Sequence, residues 1–261
     1  MISSVHNPRI KQVRLLMEKS RARREENLFV IEGIRELEIA LKSGFSMQSL
    51  LLCPAILRDG EKANRFIEQA SMVLEIDAQL YGKLAYRGST EGVLAVMKGR
   101  SLDPEDICLP ELPLVIVLES VEKPGNLGAI LRTADASGVH AVLVCDPLTD
   151  LYNPNTIRAS VGCLFSVPTL VCSSALAYNW IQKKDIQVVA ATCQAGIWYH
   201  KCDYRKPTAI VMGTEDRGLS AFWRERATCE VKIPMRGIID SLNVSVATAI
   251  LCFEAVRQRN G

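Results

Sequence analysis

Apolar residues recur along the 261-residue chain at two spacings, and the switch between them marks the expected elements. Over residues 7–24, Ile10, Val13, Leu16 and Met17 fall on one helical stripe, with cations on the other faces. Leu28–Ile31 is a short apolar run. Gly33–Ser43 reads as a helix with Ile34, Leu37 and Leu41 inward, and Gly44 follows where a left-handed residue commonly ends a helix. Met47–Cys53, Met72–Ile76 and Gly92–Met97 read as strands, with helices expected over Lys62–Ala70 and Gln79–Ala85. Strands alternating with helices predict an α/β layer structure.

The pattern lapses over residues 101–113, a polar, acidic stretch with Pro104, Pro110 and Pro113. This stretch is read as a linker between a first domain, residues 1–100, and a second, residues 114–261. Beyond it the alternation resumes. Leu114–Leu118, Ala141–Cys145, Gln187–Ala191, Thr208–Met212 and Glu230–Ile233 are expected strands, with helical stretches between most of them. The last helix, Val244–Arg259, is apolar nearly all round through Phe253 and polar afterwards, so it should start buried and emerge into solvent, or pack on a second subunit.

The net charge of +2 hides an asymmetry. Residues 1–24 carry Arg9, Lys11, Arg14, Lys19, Arg21, Arg23 and Arg24 against Glu18 alone, a local +6, which leaves −4 for the rest. A basic arm on a near-neutral body points to a polyanionic partner, although cations on an amphipathic helix are more often simply a solvated face. The longest apolar runs, such as Leu112–Leu118 and Val246–Phe253, are far short of the ~20 residues that cross a bilayer. The first residues lack the hydrophobic stretch of a secretory signal, so none is expected. Nine cysteines form no C-x-x-C pair, and Cys53, Cys145, Cys163 and Cys252 sit in apolar runs, which favours reduced thiols and a cytoplasmic chain. The histidines, His6, His140 and His200, are scattered, so no metal site is expected.

Three glycine-marked loops follow strands of the second domain. The first runs Pro124-Gly125-Asn126-Leu127-Gly128 into Arg132-Thr133. The second is Met212-Gly213-Thr214-Glu215-Asp216-Arg217-Gly218-Leu219-Ser220. The third leads from Ile233-Pro234-Met235 to Ser241-Leu242-Asn243-Val244-Ser245-Val246-Ala247. In open α/β sheets ligands bind beyond the C-terminal strand ends, so the three can converge. Neither the dinucleotide G-x-G-x-x-G nor the phosphate-loop signature occurs, which favours a ligand held by backbone without a pyrophosphate cradle. Asn126 as a helix cap, Glu215 as a first-turn acid and Ser241 as a capping hydroxyl are equally ordinary structural roles. The residues alone therefore stop at an α/β enzyme or binder whose site is made by these loops.

At these same positions the sequence resembles the SpoU (TrmH-like) branch of the SPOUT RNA methyltransferases. Pro124-x-Asn126-x-Gly128-x-x-x-Arg132-Thr133 resembles the first family motif, Gly213-x-Glu215-x-x-Gly218-Leu219-Ser220 the second, and Ile233 to Ala247 the third. Asn7-Pro8-Arg9-Ile10-Lys11, Phe29-Val30-Ile31-Glu32-Gly33 and Thr90-Glu91-Gly92-Val93-Leu94-Ala95 resemble the family's ribosomal-protein-L30e-like RNA-binding domain. One departure is Lys123, where many members carry an acid or an amide before the proline.

The resemblance implies an N-terminal RNA-binding domain and a C-terminal SPOUT α/β domain with a deep trefoil knot. It implies S-adenosylmethionine as methyl donor, a ribose 2′-hydroxyl of RNA as acceptor, and a homodimer through the knotted domain. Carried over by motif, the donor would meet Met212, Gly213, Ile233, Met235 and Leu242. The catalytic set would be Asn126, Arg132, Glu215, Ser241 and Asn243. An arginine is effectively never deprotonated, so Arg132 is expected to orient the ribose or its phosphate and stabilise developing alkoxide charge rather than act as a base. Glu215, Ser241 and Asn243 would hold Arg132, the donor or the nucleotide. RNA contacts are expected from Arg9, Lys11, Arg21, Arg23 and Arg24, and from Arg158 in an Ile157-Arg158-Ala159-Ser160 segment that serves either RNA or the dimer. Ribosomal RNA is the leading substrate because a separate RNA-binding domain precedes the catalytic one. The alternatives are transfer RNA, a resistance-conferring ribosomal site, and a non-catalytic RNA-binding assembly protein.

Overall fold

The alternating pattern builds two compact units in the computed structural model, which describes residues 1–57, 60–85 and 91–260. Thr90, at the head of one of the family-like segments, lies outside the described residues. In chain order the first half holds α1 (Pro8–Glu18), α2 (Ser20–Glu26), β1 (Leu28–Glu32), α3 (Ile34–Lys42) and β2 (Met47–Leu52). There follow α4 (Gly60–Gln69), β3 (Val73–Glu75), α5 (Ala78–Leu84) and β4 (Val93–Lys98). The next elements are β5 (Leu114–Glu119), α6 (Pro124–Ala136), β6 (Ala141–Cys145), α7 (Pro154–Ser160), α8 (Cys163–Ser166) and β7 (Thr169–Cys172). The last are α9 (Ser174–Lys183), β8 (Gln187–Ala191), β9 (Ile197–Trp198), β10 (Thr208–Met212), α10 (Ala221–Arg224), β11 (Cys229–Lys232) and α11 (Val244–Asn260).

The first unit comprises Met1–Arg100 together with Asp150–Ser166, a segment that lies within the stretch expected as the second domain. Its sheet runs β1-β4-β2-β3, antiparallel except for the parallel β2–β3 pair. One face buries Ile10, Val13 and Leu16 of α1 against Val30, Leu51 and Leu94. Tyr152 and Phe165 join Asp150–Ser166 to this unit. The Tyr152 ring stacks on Phe29 at 4.2 Å between centroids, and Phe165 meets Phe45 edge-on at 5.0 Å. The Tyr152 hydroxyl accepts from the Arg100 amide at 3.0 Å and donates to its carbonyl at 2.8 Å.

The basic arm is two helices, broken at Lys19, whose backbone is extended (φ −118°, ψ 114°). Arg23 corrects the sequence expectation: it is buried, 4% exposed, and does not face solvent where RNA phosphates could reach it. Its Nε donates to Asp150 Oδ2 at 2.5 Å, and its Nη1 donates to the carbonyls of Leu16 at 2.6 Å and Met17 at 3.2 Å. Those carbonyls belong to the last turn of α1, which has no intrahelical partners for them, so Arg23 caps one helix from the next. Arg21 is exposed but paired with Glu25 at 2.6 Å, as Arg14 is with Glu18 at 2.7 Å. Among the described residues no ion pair engages Arg9, Lys11 or Arg24, all exposed, and Arg9 and Lys11 line one surface recess with Gln12 and Leu15.

The second unit, Ser101–Thr149 with Val167–Gly261, carries a seven-stranded sheet, β7-β6-β5-β10-β8-β11-β9, parallel throughout. Its central strands are buried on both faces, as a parallel sheet requires, with Val115, Val117, Leu143, Val188 and Val211 in one core with Trp180 and Trp223. Helix α11 does not start buried and emerge into solvent, the first of the two expectations for it. Its first residues are only partly covered, Val246 is 47% and Phe253 49% exposed, and burial falls instead at Thr248, Leu251, Cys252 and Ala255, while α11 packs along α6. Nor does its polar end float free. Arg259 donates to the carbonyls of Tyr204, Leu112, Pro113 and Lys206 at 2.8–3.0 Å. No helix among the described residues is long and apolar enough to cross a membrane.

Candidate active site

Strands β5, β10 and β11 run parallel, so the loops that follow them emerge at one end of the sheet. After β5 the chain turns through Ser120 into α6, with Lys123 at the helix cap and Pro124 at its first position, where a missing amide costs nothing. After β10, Thr214 and Gly218 exchange backbone hydrogen bonds at 3.2 and 3.1 Å, closing a tight loop. Gly213 is required there, because a Cβ would stand 2.2 Å from the Gly218 carbonyl carbon, and Gly218 itself has φ +68°. The loop is tied back to β5: the Ser220 amide and hydroxyl both donate to the Glu119 carboxylate, at 2.8 and 2.6 Å. After β11, residues 233–243 lead to α11.

The three loops meet at Glu215. Its Oε1 accepts from Asn126 Nδ2 at 2.8 Å and from Asn243 Nδ2 at 2.7 Å, and its Oε2 accepts from Lys123 Nζ. Asn243 Nδ2 also reaches Asn126 Oδ1 at 3.1 Å. The hydrogen bond from Lys123, with that from Asn126, holds the Glu215 carboxyl below its usual range against the opposing effect of burial. The pairing raises Lys123 in turn. The capping side chain here is Asn243 rather than Asn126 or Ser241: its Oδ1 accepts from the Ser245 amide at 3.0 Å and the Ser245 hydroxyl at 2.6 Å, while the cap position of α6 is Lys123 and the Ser241 hydroxyl donates to Asp240. One amide therefore both starts α11 and holds the carboxylate.

Two cavities flank this cluster. The larger, about 320 Å³, collects Met212, Gly213, Ile233, Met235 and Leu242, all five residues expected to meet a donor, together with Glu215 and Ser241. Val231, Val244 and Leu251 give it apolar walls, while Asp216 and Asp240 add acids. The smaller, about 100 Å³, is lined by Glu119, Ser120, Glu122, Lys123 and Asn126, and shares Met212 to Asp216 and Val244 with the first. Glu215 thus stands in the wall between them.

Of the expected catalytic set, Asn126, Glu215 and Asn243 are hydrogen-bonded together. Ser241 lines the larger cavity, but its hydroxyl donates to Asp240 at 3.0 Å rather than to the cluster. Arg132 lies on α6 six residues beyond Asn126, about 9 Å along the axis, and is exposed. The partner of Glu215 is Lys123, not Arg132. The sequence signal for Lys123 is its departure from the family pattern; for Glu119 it is an acid ending a buried strand. Arg158 belongs to the first unit, where it lines a cavity of about 180 Å³ with Glu32, Glu36 and Glu91.

The larger cavity fits S-adenosylmethionine by the chemistry of its lining. It has a small-ligand volume, close backbone approach at Gly213, apolar walls for a base and the donor's carbon chain, the acids Glu215, Asp216 and Asp240 for a cationic sulfur and amine, and the cations Arg217, Arg224 and Lys232 for the donor's own carboxylate. Comparisons with known proteins agree. The SpoU rRNA Methylase family model matches residues 113–253, and the MRM3-like substrate binding domain matches residues 7–95. The 23S rRNA (guanosine-2'-O-)-methyltransferase RlmB of Bordetella pertussis is 38% identical over 213 residues, 78% of this chain and 87% of its own length. A crystal structure of an RNA 2'-O ribose methyltransferase superposes with a TM-score of 0.86 at 39% identity, covering 100% of this chain and 99% of the other. The SpoU methyltransferase AviRb from Streptomyces viridochromogenes, in complex with AdoMet, gives 0.89 at 28% identity, covering 97% and 99%. With its three motif loops gathered on one carboxylate, this chain belongs to the SpoU rRNA methylase family.

Proposed function

We propose that this chain transfers the methyl group of S-adenosylmethionine to the 2′-hydroxyl of a ribose in ribosomal RNA. The observation that carries this reading is the convergence on Glu215. Residues from three separate loops fix one carboxylate at the edge of a cavity that gathers every residue expected to hold the donor. A scaffold or assembly protein has no need of such an arrangement.

When bound, the donor supplies an electrophilic methyl on a sulfonium for in-line displacement. This chain's residues do the positioning, which supplies much of the rate in such a reaction. Met212, Gly213, Ile233, Met235 and Leu242 form the donor's bed, and Glu215 sets a fixed negative charge beside it. Asn126 and Asn243 keep that carboxylate in place. Ser241 offers its hydroxyl from the cavity wall. Arg132, a permanent cation outside the cluster, orients the acceptor ribose or its phosphate and stabilises the alkoxide charge that develops as the hydroxyl proton passes to solvent water and the oxygen takes the methyl group from sulfur. Arg9, Lys11 and Arg24, with Arg21 once its pair with Glu25 opens, supply phosphate contacts from the first unit. Arg158 contributes from a neighbouring helix of that unit.

With this function go an L30e-like fold for the RNA-binding part, residues 1–100, with which Asp150–Ser166 clusters, and a trefoil knot in the methyltransferase part, residues 114–261 apart from that segment, joined by 101–113. Support for the knot is that α11 returns after β11 to pack along α6 and β10. A homodimer is supported by the apolar Val246 and Phe253 left open on α11, and the cytoplasm is where ribosomal RNA is made in bacteria. The test is to map 2′-O-methylation across cellular RNA with and without the gene. Loss at a single ribosomal position supports the reading; loss confined to transfer RNA, or no loss, counts against it.

A further inference from the structure

Lys123 sits where helix chemistry disfavours it. The cap position of α6 favours Ser, Thr, Asp or Asn, and a helix N-terminus repels a cation, yet Lys123 makes no capping hydrogen bond with its side chain. Its ammonium is instead engaged by Glu215 Oε2. The smaller cavity explains the need. Its lining carries four acids, Glu119, Glu122, Glu215 and Asp216, and Lys123 is its one cation among the described residues. Glu119 is engaged by Ser220, and Asp216 lies beside Arg217 at 3.3 Å, which leaves Glu122 and Glu215 as the charges that bear on Lys123. Without a cation at 123, Glu215 would keep only neutral donors, Asn126 and Asn243 on Oε1 and the Val244 amide, and no opposite charge would hold the carboxylate.

We propose that Lys123 is a positioning residue that clamps the second oxygen of Glu215, fixing the carboxylate as the partition between the two cavities. Asn126 and Asn243 donate to one oxygen and Lys123 to the other, so that both oxygens of the carboxylate are held. The clamp is read from the geometry of the protein alone; its bearing on methyl transfer rests on the larger cavity being the donor's.

The experiment is a carboxyl ¹³C NMR titration of the full chain without ligand, with the Glu215 resonance identified by its loss in E215Q. Lys123→Arg keeps the charge, Lys123→Gln keeps only hydrogen-bonding capacity, and Lys123→Met keeps neither. The clamp predicts that K123R titrates as the parent does, while K123Q and K123M move the Glu215 midpoint up by roughly half a pH unit, the size expected of an exposed pair. Calorimetry with S-adenosylmethionine should show K123M weakened roughly two- to threefold and K123R restored. An unmoved midpoint in both K123M and K123Q, or K123R behaving as K123M, overturns the clamp. Failure of the parent protein to bind S-adenosylmethionine would instead refute the donor reading, with the NMR titration still deciding the clamp.

Discussion

The Asn243 side chain donates through Nδ2 to Glu215 Oε1 at 2.7 Å and accepts through Oδ1 from the Ser245 amide at 3.0 Å, so a single amide joins helix start and active-site carboxylate. The two roles can be separated by mutation. Asn243→Asp keeps a good cap but removes the donor and sets a like charge against Glu215. It should weaken S-adenosylmethionine binding in calorimetry, and any fall in the thermal midpoint should disappear in acid as the repulsion between the two carboxyls is relieved. Asn243→Ala loses both and should also cost about 1 kcal/mol of stability in denaturant titration.

The carboxyl of Glu215 is held below its usual range, chiefly by Lys123. A depressed group is ionised throughout the pH range above its unfolded value, about 4.3, and loses its held charge as pH falls through the lower folded value. Donor affinity measured by calorimetry should therefore be flat from neutrality down to about pH 5, and fall only in more acid solution. In Glu215→Gln the affinity should be lower at neutrality and show no such acid limb.

Helical spacing puts Arg23 on the RNA face, and the fold buries it. Its partner Asp150 is 10% exposed at the side chain, so removing either leaves a buried charge unmatched. Arg23→Met should destabilise the protein by roughly 3–5 kcal/mol in denaturant titration, with Asp150→Asn close behind. RNA affinity per folded molecule should be unchanged in filter binding.

Arg9, Lys11 and Arg24 remain the exposed cations of the arm. Reversing all three to Glu should weaken RNA binding and lower the slope of log affinity against log salt by roughly 0.7–0.9 for each phosphate no longer neutralised. S-adenosylmethionine affinity should not change, since these residues belong to the first unit and the donor cavity to the second.

Much of this fold is legible in the sequence where burial is two-sided. β5, β6, β8 and β10 announce themselves as apolar runs because both faces of a parallel sheet are covered. β7 and β9 carry no such signal, and both are sheet edges: Val171, Ile197 and Trp198 are 43–47% exposed, so no continuous apolar run marks them. The loop motifs single out Asn126, Glu215 and Asn243 without any geometry. What periodicity does not show is pairing at a distance. Arg23, which helical spacing leaves on a solvated face, finds Asp150 across 127 positions, and Lys123, which only its departure from the motif marks, finds Glu215 across 92.

Methyl transfer to a ribose oxygen is tested most directly by incubating the purified protein with ribosomal RNA and S-adenosylmethionine labelled in its methyl group, then digesting the RNA to nucleosides. The expected result is label in one 2′-O-methylnucleoside, in a linkage that resists alkali, and its loss in Glu215→Gln. Label on a base, or none transferred to RNA under conditions where the donor binds, would contradict it.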